Sequence, residues 1–220
     1  MNTLISKLKD PGSAITHFIG MVIAILAIAP LLIKAAHGDN RGHLGSFAIF
    51  ILSMVALYAA STIYHTFNIS EKVNTLLRKI DHAMIFVMIS GSYTPVCLIA
   101  LPKNIGIPLL ITVWTITIIG TLFKIFWITC PRWVSSAMYI GMGWLSVVAI
   151  SSIIKNLPFS AFVWLLVGGI IYTIGGVIYA LKLPIFKKVN WKNFGNHELF
   201  HCFVMLGSVC HFVMVYNYLA

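Results

Sequence analysis

Charge is what this sequence has least of. Only 9% of its 220 residues are charged, and five of those are acids. A soluble domain covers its surface with roughly a quarter charged residues, so this composition excludes one. Cysteine is also sparse: Cys97, Cys130, Cys202 and Cys210 include no CxxC pair. Cys202 and Cys210 lie two turns apart on one expected helix, and Cys97 and Cys130 fall at opposite ends of the spans. The four read as small apolar helix residues rather than a disulfide or thiolate metal framework. No tract of low complexity and no soluble repeat is present, and the connections are too short for a separate soluble domain.

What is there is hydrophobic length. Apolar residues make up 60% of the chain and the mean hydropathy is +0.95. Stretches of about 20 apolar residues, the length that crosses a bilayer, recur seven times: 14–36, 44–67, 83–101, 107–128, 134–154, 160–181 and 198–219. The expected fold is an all-α membrane protein, a seven-transmembrane helix bundle over 14–220, preceded by a short basic N-terminal segment, 1–13. In that segment Leu4, Ile5 and Leu8 oppose Lys7 and Lys9. The first apolar stretch is too long for a signal-peptide core and lacks a small-x-small cleavage site, so it is expected to remain in the mature chain. Loops are expected at 37–42, 68–81, 102–108, 130–133, 155–158 and 183–197. Trp127, Trp133 and Trp191 near span ends fit interfacial belts. Gly168-Gly169 and Gly175-Gly176 suit close helix packing, within the chain or between chains, and the oligomeric state is not readable.

The net charge of +10 would suggest nucleic acid as a partner in a soluble protein. Here its distribution reads as membrane orientation instead, and no nucleic-acid partner is expected. Eleven Lys and Arg (Lys7, Lys9, Lys72, Arg78, Lys79, Lys124, Arg132, Lys182, Lys187, Lys188, Lys192) fall on one side, against Lys34, Arg41, Lys103 and Lys155 on the other. Positive residues stay inside, which places the N-terminus in the cytoplasm and the C-terminus outside.

Against so apolar a background the ionisable residues are the informative ones. Ser61 and His65 close the second span at i, i+4, on one helix face. Asp81 and His82 open the third on the same side. His197 and His201 open the seventh, again at i, i+4, the spacing by which one helix offers two ligands to one metal. Three imidazoles and a carboxylate thus converge at one depth. This donor set suits a zinc ion with an open fourth position, with Asp81 orienting a water or acting as general base and Ser61 hydrogen-bonding to Asp81 or to that water. Taken alone, Asp81 equally suits a helix N-cap. His17 opens the first span at the same interface. His211 shares the stripe of His197 and His201 but lies about 15 Å deeper, too far to ligate the same ion; it either lines an interior cavity or packs with a hydrogen bond. His37 and His43 fall in the outer first loop.

At these residues the sequence resembles the hemolysin III family of bacterial membrane proteins, within the progestin and adiponectin receptor (PAQR) superfamily. The resemblance is carried by Ser61–His65, then Asp81, then Gly91-Ser92-Tyr93-Thr94-Pro95, then His197-Glu198-Leu199-Phe200-His201 with Gly207 and His211-Phe212. It implies a seven-helix fold with the N-terminus inside, zinc held by His65, His197 and His201, Asp81 reaching it through a water, and residence in the bacterial cytoplasmic membrane. The family's usual acid, Asn and His in the first span stand here as Asp10, Ser13 and His17.

Three functions stay open at this point. One is a zinc-dependent intramembrane hydrolase of lipid amides or esters, as the likeness of relatives to alkaline ceramidases implies; its partners would be membrane lipids, with a lipid substrate or ligand in the bundle interior. The second is a non-enzymatic sensor or regulator in which zinc staples the second, third and seventh helices. The third is a pore, which the hemolysin name implies and which the scarcity of charge within the spans disfavours.

Overall fold

Apolar segments this long can cross lipid only if every backbone N–H and C=O is paired within the segment, which selects helix. The computed structural model describes residues 8–181 and 194–220, and among them the secondary structure is entirely helical. Seven helices are long and apolar enough to span a membrane: Pro11–His37, Arg41–Thr66, Glu71–Ala100, Lys103–Phe126, Arg132–Asn156, Phe159–Leu181 and Asn196–Tyr218. Several features read from the sequence lie outside the described residues: Leu4, Ile5 and Lys7, and, before the seventh span, Lys182, Lys187, Lys188, Lys192 and Trp191.

Each span packs on the next, most extensively first on second, second on third and sixth on seventh, and the first also meets the seventh. The result is a closed ring around an interior cavity of about 180 Å³. Close approach is set by glycine. A Cβ at Gly91 of the third span would fall 2.0 Å from Ser53 Oγ and 2.6 Å from Ser53 Cβ on the second. Of the two glycine pairs in the sixth span, Gly168, Gly175 and Gly176 lie against His211, Phe203 and Ile140, whereas Gly169 has open space before it. All four cysteines are free.

Three expectations need correction. The third helix starts at Glu71, not near residue 83. Ser70 caps it, its side chain accepting from Val73 N at 3.3 Å, and the charged first turns stand outside the apolar window that a hydropathy count detects. Asp81 is therefore well inside a helix, and the N-cap reading falls. The fourth helix starts at Lys103, with Pro108 as its sixth residue, where the ring removes the N–H that would pair with the Asn104 carbonyl. The fifth span is not one continuous helix. It runs Arg132–Gly143, passes through a 3-10 stretch Trp144–Ala149, and resumes at Ile150–Asn156. Tyr93 of the third span fills the break: its hydroxyl donates to Gly143 O at 2.6 Å and accepts from Ser146 N at 2.8 Å.

Candidate metal centre

The second span ends on a helical face that carries Ser61 and His65, both buried. The seventh begins with His197 and His201 one turn apart. The first span, packed on both the second and the seventh, brings these two helix ends together, and one ring nitrogen from each of His65, His197 and His201 lies within 4.8 Å of the other two. His65 and His201 are buried and His197 partly so, and the three together can hold a metal ion.

The outer nitrogens show how the rings are held. The Asp10 carboxylate accepts from His65 Nδ1 at 2.9 Å. His201 Nδ1 lies 3.1 Å from Thr16 Oγ1, whose own hydrogen is directed at Gly12 O and Ser13 O, each at 3.0 Å. That hydroxyl is thus free to accept, and His201 Nδ1 donates to it. With Nδ1 protonated in both rings, their Nε2 atoms are bare lone pairs. His65 Nε2 and His197 Nε2 face each other at 3.2 Å. Acceptors turned toward one point, with carboxylate and hydroxyl partners behind them, are the arrangement that orients imidazoles on a metal. The donor set therefore fits a divalent ion such as zinc.

The first span supplies this outer layer, which the charge and spacing pattern did not reveal. Asp10, Ser13 and Thr16 recur at helical spacing on its first turns. The Ser13 hydroxyl donates to Glu198, and the other Glu198 oxygen accepts from Gly195 N at 2.8 Å, capping the seventh helix. His17, on the same face, stacks on His201 with ring centroids 3.5 Å apart and planes 8° apart. Neither of its nitrogens has a hydrogen-bond partner among the described residues. At the rim, Lys9 sits over the Tyr64 ring, 3.5 Å from its centroid, and partial burial pulls its ammonium below the usual lysine range.

Asp81 and Ser61 both line the interior cavity, as do His17, His197 and His201. Of the two partners considered for Ser61, a water and Asp81, the latter is not hydrogen-bonded to it. Ser61 Oγ is buried without a hydrogen-bond partner among the described residues, and Asp81 Oδ2 instead meets His82 Nδ1 at 3.2 Å. His82 Nδ1 also points to Arg78 O at 3.0 Å, which fixes the ring beside Asp81. His211 lines the same cavity deeper in the bundle. Its nitrogens have no hydrogen-bond partner among the described residues, so the packing alternative that required a hydrogen bond is not the one observed.

Known proteins are similar to this chain along nearly its whole length. A Bacillus subtilis (strain 168) protein named hemolysin-3 homolog is 36% identical over 210 residues, covering 96% of this chain and 94% of its own. A Bacillus cereus protein named hemolysin-3 is 37% identical over 211 residues, covering 96% and 91%. More distant is progestin and adipoQ receptor-like protein 1 of Caenorhabditis elegans, 26% identical over 219 residues, covering 92% of this chain and 50% of its own. Residues 5–212 match the family described as haemolysin-III related. Seven apolar helices and these relatives make the chain an integral membrane protein, and it belongs to the haemolysin-III related family.

Proposed function

We propose that His65, His197 and His201 bind a zinc ion and that the site hydrolyses an amide or ester bond of a membrane lipid. The observation that carries this reading is the continuity of the histidine cluster with an apolar cavity inside the bundle. His197, His201 and Asp81 share one wall system with Met88, Leu165 and Val204. A metal held only to brace helices needs no such space, whereas a lipid chain does. Bound there, zinc supplies a Lewis acid that lowers the pKa of a water toward about 7.

The chain's own residues then divide the work. Asp81 holds or takes up the proton of the attacking water, its carboxylate fixed by His82. Ser61, whose hydroxyl has no partner among the described residues, donates a hydrogen bond to the carbonyl oxygen of the scissile bond. Asp10 and Thr16 keep His65 and His201 in the tautomer that presents Nε2. The apolar walls exclude bulk water from the acyl side. The cationic bias of eleven against four supports a cytoplasmic N-terminus and a cytoplasmic metal centre, and the Bacillus relatives support the bacterial cytoplasmic membrane.

Metal analysis of purified protein tests this reading. Wild type is expected to carry about one zinc per chain, lost in His65→Ala and His197→Ala. Asp81→Asn is expected to keep the metal and lose turnover in a screen of lipid amides and esters by at least ~100-fold. A second reading, a regulator in which the metal is structural, is favoured by the way the cluster and its partners tie the first, second and seventh spans together. In that case Asp81→Asn is silent in every assay, while His201→Ala lowers thermal stability.

A further inference from the structure

Lys124, at the end of the fourth span, has no solvent exposure at all. Its ammonium contacts Cys130 Sγ at 3.1 Å and the Ser135 hydroxyl, and Cys130 Sγ lies 3.3 Å from Ser135 Oγ. The rings of Phe123 and Tyr139 flank the nitrogen, each centroid 6.0 Å away. A buried cation is costly unless an anion pairs with it, yet no carboxylate is near. Asp10 and Asp81 are engaged with His65 and His82, and Glu198 with Ser13 and Gly195. Glu71 is in the first turn of the third helix and Asp39 in the turn after the first span. Residues 1–7 and 182–193 contain no acid. Two acidic hydrogens lie near Lys124: that of the Cys130 thiol, in direct contact with its nitrogen, and that of the Tyr139 phenol, which is directed away to His82 O at 3.1 Å. A lysine at a thiol favours the reactive thiolate. Of the four cysteines, Cys130 alone has a lysine nitrogen in hydrogen-bond contact among the described residues.

We propose that Lys124 and Cys130 form a redox cross-link, a reversible N–S bond made when a peroxide oxidises the thiol. In the first step Cys130 sulfur attacks one peroxide oxygen. The S–O bond forms, the O–O bond breaks, and the departing oxygen leaves as water with the thiol's proton, giving a sulfenic acid. In the second, the Lys124 ammonium first releases one proton to water, the resulting amine attacks that sulfur, the S–O bond breaks, and the oxygen leaves as water with a further proton from nitrogen. One peroxide is reduced, the Lys–Cys pair loses two hydrogens and two electrons, and two waters form. Sulfenic acids condense in this way with nitrogen nucleophiles, and here the nucleophile is already at 3.1 Å. Ser135 is positioned to hold the sulfenic hydroxyl. It also lines the interior cavity, which gives a small oxidant a way in. The bond removes a buried cation and ties the end of the fourth span to the connection before the fifth. It is independent of the histidine site.

The test is peptide mass analysis of the full-length protein in detergent after treatment with hydrogen peroxide. The expected product is a cross-linked peptide two hydrogens lighter than the reduced pair, resistant to trypsin at Lys124 and restored by dithiothreitol. Lys124→Met is expected to lack it and to accumulate oxygen on Cys130 instead. The wild-type result stands on its own should that variant fold poorly. Wild-type protein in which trypsin still cuts after Lys124 while Cys130 gains oxygen overturns the proposal. So does a Cys130 that stays reduced at peroxide levels that oxidise Cys202.

Discussion

The second and third spans and the fifth span are built to opposite standards. In the most apolar window of the second and third, 50% and 61% of residues are buried, against 17% in the fifth. The inner pair meets through glycine and serine at near-contact distance, carries Ser61, His65 and Asp81, and runs as regular helix across the metal level. The fifth is broken mid-membrane, touches the fourth only sparsely and forms a thin wall of the cavity with Tyr139, Gly143 and Trp144. Rigidity is concentrated where donor atoms must be held to a fraction of an ångström. The looser wall borders the space that we assign to a lipid.

The largest effect expected from breaking this contrast is at the tight side. Gly91→Ala places a methyl group into Ser53 Cβ, and Ser53 is too short to swing away, so the two helices must separate. Overpacking of this kind costs about 1–3 kcal/mol or more. The apparent Tm in detergent should fall clearly, and the proposed metal binding should weaken along with it, because His65 and Asp81 sit on the two helices that move. An unchanged Tm would show that the inner interface is more yielding than its geometry implies.

Next comes the outer layer of the site. Asp10→Ala removes the acceptor behind His65 Nδ1 without touching a cluster nitrogen. Loss of such a partner typically lowers metal affinity by about 10–100-fold, to be read by competition with a chelator. An equal loss of thermal stability in metal-free protein would instead mark Asp10 as a packing residue of the first span.

How much of this was legible in the sequence follows the same divide. Seven spans could be read because each is long enough to show in hydropathy alone. His65, His197 and His201 could be read because i, i+4 spacing and alternating span direction place them at one depth without any knowledge of packing. The layer behind them showed only in part: the resemblance marked Asp10, Ser13 and His17, but neither Thr16 nor the contacts these residues make. Asp10 and Thr16 reach the cluster only because the first span packs against both the second and the seventh, and no local pattern states that. The start of the third helix was misplaced because Glu71, Lys72, Arg78 and Lys79 depress hydropathy while leaving the helix intact. The break in the fifth was invisible for the converse reason. Trp144–Ala149 is as apolar as its flanks, and what stabilises its irregular backbone is a hydroxyl from another helix.

That hydroxyl is the third point of attack. Tyr93→Phe removes the acceptor of Ser146 N and one of two donors to Gly143 O, the other being Ser146 Oγ at 3.4 Å. Unsatisfied buried groups cost about 1–3 kcal/mol, here confined to a segment that is already irregular. Amide hydrogen exchange over 143–149 should accelerate, while the histidine cluster, set on other helices, should keep the metal-binding capacity we propose for it. Metal loss in this variant would mean that the fifth span is coupled to the site and the division drawn above is too sharp.

The smallest effect belongs to the fifth span's own glycine. A Cβ at Gly141 meets nothing within 4 Å, although the residue lies within the Arg132–Gly143 helix. Alanine there gains up to ~1 kcal/mol of helix propensity and loses no contact within the chain. Gly141→Ala should therefore leave the Tm unchanged or slightly raised, the opposite sign to Gly91→Ala for the same change of one methyl group. Equal damage from the two would require a surface, absent from a single chain, pressed against Gly141. The obvious source is a second copy of the protein, and cross-linking in native membranes with cysteine introduced at residue 141 would then find it. A neutral Gly141→Ala leaves that face to lipid, and the fifth span as the wall that has room to move.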